Sequence, residues 1–155
     1  LVRLVPFLAD RVDEITEWDQ LKLLSIQVNR LTRWHSPGLL CIGDAAHAMS
    51  PVGVIGINLA IQDAVAAARI LAPTLKTGIV TELTLAHVQS RRELPTRITQ
   101  RFQVMVHYFL NRTLGNPAEI KPPLFLRLLS PHPFFRRFMA RFIGMGVRPE
   151  HIQSH

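Results

Sequence analysis

Gly43 to Asn58 reads GDAAHAMSPVGVIGIN, and its flanks decide what this stretch is. Before it lies a short apolar run, Leu39-Leu40-Cys41-Ile42, whose branched side chains suit a strand. After it comes NLAIQDAVAAARILA, residues 58–72, rich in strong helix formers. The sixteen residues between Gly43 and Asn58 therefore hold a strand exit, a Gly- and Ala-rich loop and the opening turn of a helix.

That arrangement has the properties of a cofactor site. Gly43 lets the backbone turn and approach a ligand where a side chain would block it. Asp44, at the exit of the strand, is a carboxylate acceptor suited to a sugar-like hydroxyl, and Ala45, Ala46 and Ala48 leave room beside it. Pro51 stiffens the loop by fixing φ, and Gly53 and Gly56 permit close backbone approach. The helix expected from about Ile57 would point its first N–H groups at the loop with no intrahelical partner. Its partial positive charge favours an anionic group there. An ordinary strand–loop–helix connection of the same composition is the alternative.

The ordered series Gly43, Asp44, His47, Pro51, Gly53, Gly56, Asn58 and Asp63 resembles the second FAD-binding motif of the flavoprotein monooxygenases related to p-hydroxybenzoate hydroxylase. The resemblance implies that Asp44 hydrogen-bonds a ribityl hydroxyl of FAD and that Ala45 and its small neighbours lie near the pyrophosphate and ribityl chain. It implies that Pro51 to Asn58 runs along the flavin ring, with the amides near Gly56, Ile57 and Asn58 facing its pyrimidine edge. One departure stands out: many members carry a second glycine where this chain has Val54, whose branched side chain restricts φ. The likeness extends to Leu21–Arg33, to the turn Trp34-His35-Ser36-Pro37-Gly38, and to the ending FIGMGVRPEHI, residues 142–152, but only the central motif is specific.

Members of that family begin with a strand–G-x-G-x-x-G–helix unit that holds the adenine half of FAD. None of the eight glycines here forms that turn; Gly144-Met145-Gly146 is the only G-x-G, with Pro149 at its third position. The expectation is a C-terminal portion of a longer flavoenzyme whose partner is the missing N-terminal FAD-binding portion.

The 155 residues are 48% hydrophobic, enough for one domain with a sizeable core. No uninterrupted apolar run reaches the ~20 residues that span a bilayer, and Leu1–Leu8 lacks the features of a signal peptide. Cys41 is the single cysteine, expected as a small core residue that excludes an internal disulfide, which fits a cytoplasmic setting. The net charge of +7 is uneven: residues 1–75 carry 6 Lys/Arg against 7 Asp/Glu, residues 76–155 carry 12 against 4. A basic half fits nucleic acid, an anionic membrane or an internal salt-bridge partner. No nucleic-acid module is present, so nucleic acid is set aside.

The expected architecture is an α/β fragment: terminal strands of a substrate-type sheet and a buried FAD-domain strand, followed by a mostly helical C-terminal half. Residues 1–34 read as the end of a substrate-type domain, with Leu24, Ile26 and Val28 alternating on one face of a half-buried strand. Residues 35–78 form the strand–loop–helix, its helix ended by Pro73. Residues 79–112 are a long helical region opened near Thr81 and kinked or split at Pro95, and residues 113–155 a linker and C-terminal helices.

Other candidates are weaker. His47 reads as a loop anchor, because no carboxylate lies at a diagnostic spacing from it. The remaining histidines and Cys41 are scattered, so neither a metal site nor a catalytic side chain is expected. The stripe Phe102, Met105, Val106, Phe109 and Leu110, beside Arg91-Arg92 and Arg97–Arg101, reads as a helix face packed on its own protein, with docking to the substrate domain or to a second subunit in a homodimer as the alternative. Basic and aromatic residues at 134–143 fit either a covering helix or peripheral contact with the inner face of a membrane.

The resemblance implies an FAD-dependent monooxygenase in which NAD(P)H supplies electrons and O2 the oxygen for a small organic, often aromatic, substrate. A reductase or dehydrogenase of the same fold, and a non-catalytic remnant that docks through its basic half, are the alternatives.

Overall fold

A computed structural model describes residues 6–22, 25–114 and 124–152. The elements in order are β1 (His35–Ser36), β2 (Leu39–Leu40), α1 (Ile55–Thr77), α2 (Glu82–Leu114), α3 (Leu124–Leu129) and α4 (Pro133–Met145). The expected α/β fragment with a helical second half is what the chain forms.

The strands are shorter than the sequence suggests. β1 and β2 pair antiparallel, with His35 opposite Leu40 and Ser36 opposite Leu39. Pro37 and Gly38 turn the chain between them, and Gly38 takes φ +76°, as the third residue of a type II turn requires. Leu39 is exposed and Leu40, Cys41 and Ile42 are only half-buried, because the hairpin is the whole described sheet. A strand expected to be buried on both faces has no neighbour here on its second edge.

The half-buried strand expected at residues 24–28 begins outside the described residues. Ser25 to Leu31 is not a strand, and Ile26 is exposed. This segment pairs instead with the loop after β2: Asn29 N–H donates to the Ala48 carbonyl at 3.3 Å and Leu31 N–H to that of Ala46 at 2.8 Å. Residues 6–22 form three short 3-10 turns, and their acidic side chains face solvent.

α1 starts two residues early and does not stop at Pro73. Pro73 removes one hydrogen bond near the end, but the next turn is tied by Thr74 and Thr77 hydroxyls to the carbonyls of Leu71 and Thr74 at 2.9 and 2.8 Å. Gly78, at φ +76°, closes the helix through its N–H and that of Ile79, the left-handed glycine cap that carbonyl ends favour. Val52–Thr77 is long and apolar enough to cross a membrane by length and composition. Its alanines raise the mean hydropathy where no unbroken apolar run exists, yet Asp63 lies buried in its middle, ion-paired to α2.

α2 is likewise one helix of 33 residues, not split at Pro95. Thr81 caps it, accepting the Thr84 N–H at 3.3 Å. Its buried face overturns the expectation. Arg92, Thr96, Thr99, Gln100 and Gln103 are buried, whereas Met105 and Leu110 of the apolar stripe are exposed. The reason is what lies beneath α2: loop backbone between Asn29 and Val52, whose N–H and C=O groups need partners when buried. Gln89 bonds Trp34 N–H and the Thr32 carbonyl. Gln100 bonds the carbonyls of Asn29 and Ala48, and Gln103 bonds both backbone groups of Ser50.

α4 packs by one side. Phe142 meets Phe102 edge-on with centroids 5.1 Å apart, while Phe134 and Phe138 stay exposed beside Arg136 and Arg137. Of the linker expected from Asn111 to Pro123, residues 111–114 continue α2 and the rest lies outside the described residues.

Candidate functional site

Strand exit, loop and helix start enclose one cavity of about 1000 Å³. Its walls are Ser25–Gln27, Ile42–Asp44, Ala48–Pro51 and the first turns of α1 from Val54 to Ala64. Each wall follows from local chemistry. Gly43 sits at φ +58°, and a Cβ there would stand 3.0 Å from the Ala60 Cβ, so both the turn and its approach to α1 require glycine. Gly53 at φ +81° and Val54 at φ +55° then reverse the chain into α1. A left-handed conformation at a branched residue is strained, which is the cost of valine at the position where a glycine was expected. No side chain caps the start of α1, so its leading N–H groups face the cavity unpaired by the helix.

Of the residues singled out in the sequence, Gly43, Asp44, Pro51, Gly56 and Ile57 line this cavity. Ala45 is exposed on the far side of Asp44. Gly53 serves the turn, where a Cβ would press on Ile55 at 3.2 Å. The Asn58 side chain turns away and donates to the Gly144 carbonyl at 3.0 Å, leaving only its backbone amide at the helix start. Asp44 is exposed to the cavity and makes no hydrogen bond or ion pair among the described residues.

Behind the wall lies a polar cluster that the sequence did not disclose. Asp63, fully buried, accepts the Gly43 N–H at 3.1 Å and faces His47 Nε2 at 2.6 Å through the same oxygen. Its other oxygen accepts Arg92 Nε at 2.8 Å. His47 is the expected loop anchor, but its carboxylate partner comes sixteen residues later, and Asp63 had no assigned role. The His47 ring also packs on Trp34, with centroids 5.1 Å apart. His107 Nε2, 2.6 Å from the Ser50 hydroxyl, pins the loop before Pro51. The signal for these contacts was the polar period of α2, Gln89–Arg92–Thr96–Gln100–Gln103–His107, which an eye on apolar residues passes over.

Part of the basic excess is used here. Glu150, nearly buried, meets Arg91 at 2.5 Å and Arg69 at 2.9 Å. Burial alone would raise its carboxyl above the usual range, but the hydrogen bond from Arg91 and the charges of Arg91, Arg69 and Arg92 bring it below. The same hydrogen bond raises the Arg91 guanidinium. Among the described residues no group of three or more His, Cys, Asp or Glu side chains could hold a metal ion.

The cavity brings together a carboxylate with no side-chain partner among the described residues, the start of a helix, and small or apolar walls. Sequence comparison gives the family. Residues 5–102 match the FAD binding domain family, and the chain belongs to that family. It is 38% identical over 151 residues to 6-methylpretetramide 4-monooxygenase of Streptomyces rimosus, covering 97% of this chain and 36% of that protein. It is 34% identical over 71 residues to an uncharacterized protein of Synechocystis sp., covering 46% of this chain and 17% of the relative. The chain thus spans about a third or less of the length of these curated relatives.

Proposed function

We propose that this chain supplies the flavin and ribityl side of the FAD site in an FAD-dependent monooxygenase that uses NAD(P)H and O2 to hydroxylate a small organic, often aromatic, substrate. The observation that carries the reading is the meeting, in one cavity, of an unpartnered Asp44 carboxylate and the uncapped start of α1. The named activity of the Streptomyces relative supports the reaction class. Bound FAD supplies the redox and oxygen-transfer chemistry; the protein binds, orients and excludes water. Asp44 accepts a hydrogen bond from a ribityl hydroxyl. The N–H groups of Gly56, Ile57 and Asn58 stabilise negative charge at the pyrimidine edge through preorganised donors. Pro51 and Val52 border the reacting face. On this reading residues 35–78 are the FAD-binding strand–loop–helix and residues 1–34 close a substrate-type domain.

The test uses the protein at its full natural length. NAD(P)H oxidation should require bound FAD and consume O2, with one atom of labelled oxygen entering an aromatic substrate. NAD(P)H-linked substrate reduction without O2 uptake would replace the monooxygenase by a reductase of the same fold. Purified protein that neither retains nor takes up FAD would remove the flavin reading altogether.

A further inference from the structure

Asp44 lines the cavity with no side-chain partner among the described residues, so its position there is set through its neighbours. Those neighbours hang from one buried carboxylate. Asp63 Oδ2 holds the Gly43 N–H on one side of Asp44 and His47 on the other. Asp63 is aimed in turn by Arg92, whose side chain is wholly buried.

Arg92 is aimed from the opposite direction. Its remaining nitrogens donate to the Arg148 carbonyl at 3.3 Å and to Gln62 Oε1 at 3.4 Å. Gln62 Nε2 donates to the Met145 carbonyl at 2.9 Å, and Gln62 Oε1 also accepts the Glu150 N–H at 3.4 Å. Glu150 is gripped by Arg91 and Arg69. Asn58, in the first turn of α1, bonds the Gly144 carbonyl. A run of polar contacts thus leads from Gly144–Glu150 to the Gly43 turn, exposed or half-buried at the tail and fully buried where Gln62, Arg92, Asp63 and His47 meet. A planar guanidinium serves this use better than an ammonium, because its donors are fixed in a fork and cannot swing independently. In a buried setting such bonds are strong when made and costly when misdirected.

We propose that Arg92, set in place by the C-terminal segment Gly144–Glu150, is a positioning residue for the cofactor. It orients Asp63, Asp63 orients the turn from Gly43 to His47, and the turn fixes where Asp44 stands. The segment also holds the start of α1 through Asn58 and Gln62. The inference rests on the reading of this cavity as the FAD site. It gives the tail a task in cofactor binding although none of its residues lines the cavity.

The experiment uses full-length protein with Arg92→Lys, Glu150→Gln and the double variant. Glu150→Gln keeps the shape of a side chain at the edge of the cluster, and so covers the case in which Arg92→Lys fails to fold. Three quantities are read: the FAD dissociation constant, the visible circular dichroism of bound flavin, and amide exchange at Gly43–His47 without FAD. Arg92→Lys should weaken FAD binding about tenfold, alter the flavin dichroism and speed exchange at Gly43. Glu150→Gln should do the same to a smaller degree. Because the two residues act in series, the double variant should be little worse than Arg92→Lys. Lower melting temperatures with unchanged affinity and dichroism would make the cluster merely structural and overturn the proposal, as would fully additive losses. Wild-type protein that binds no FAD would overturn the cofactor reading itself, an outcome separate from indifferent variants of a protein that does bind it.

Discussion

Arg92 on α2 and Asp63 on α1 meet at 2.8 Å with neither side chain exposed to solvent. This pair joins the two long helices and, through Gly43 and His47, fixes the loop between strand and helix. Removing one member strands the other charge in a low-dielectric interior. Arg92→Met should therefore destabilise the protein by about 3–5 kcal/mol, read as a lowered denaturant midpoint. A loss below ~1 kcal/mol would show that Asp63 finds other partners.

Asp44 offers the contrasting case. Its carboxylate is exposed to the cavity and bonded to no side chain or backbone group among the described residues, so Asp44→Ala should leave the melting temperature nearly unchanged. FAD affinity should fall by roughly tenfold or more, the size of a hydrogen bond to a charged acceptor, ~1.5–3 kcal/mol. Unchanged flavin content after purification would remove Asp44 from the site.

Two glycines separate fold from ligand in the same way. A Cβ at Gly43 would stand 3.0 Å from the Ala60 Cβ, in a backbone conformation that already disfavours one; Gly43→Ala should cost stability. At Gly56 the added Cβ meets only Met49, at an ordinary 3.5 Å. Gly56→Ala should fold as well as wild type yet bind FAD less tightly, because Gly56 lines the cavity. Equal affinities for Gly56→Ala and wild type, measured by flavin fluorescence, would place the ring elsewhere.

Val54 carries strain at φ +55°. Val54→Gly should relieve the ~1–2 kcal/mol that a left-handed conformation costs a non-glycine residue, less the ~0.5–1 kcal/mol of extra glycine entropy in the unfolded chain. A small net gain in the urea midpoint is expected. A loss would mean that contacts of the valine side chain outweigh the strain.

The pH dependence follows from Glu150, whose carboxyl is held below its usual value of 4.5 by Arg91, Arg69 and Arg92. A depressed acid contributes stability that is fully present above about pH 4.5 and is lost as pH falls through the lower folded-state value. Melting temperature should drop with acidification in that window, and Glu150→Gln should flatten this part of the profile. An identical profile in the variant would assign the acid sensitivity to other carboxylates.

The sequence disclosed the lining of the cavity more fully than the scaffold. Gly43, Asp44, Pro51, Gly56 and Ile57 were legible because backbone turns and small walls demand particular residue types at particular spacings. The strands were not, since pairing depends on neighbours that local pattern does not specify; Ile26 alternates correctly and Leu39 opens an apolar run, and both are exposed all the same. Pro73 reads as a stop and Pro95 as a kink or split because proline removes a hydrogen bond, but a helix long enough, and packed or capped elsewhere, tolerates the loss. The core of α2 was misread most. Its buried side is amide and guanidinium, dictated by the loop backbone that it covers, whereas sequence patterning searches for apolar residues.

Trp34 and Trp18 are the two tryptophans of the chain, and they differ sharply in setting: 1% exposed for Trp34 against 86% for Trp18. Trp34 rests on the ring of His47, whose backbone belongs to the loop between β2 and α1. The indole is thus placed as a built-in optical gauge of that loop, buried against an imidazole while its counterpart faces water. In this chain with Trp18→Phe, any change of the Gly43–His47 turn that shifts His47 should alter the ultraviolet fluorescence, with no label attached.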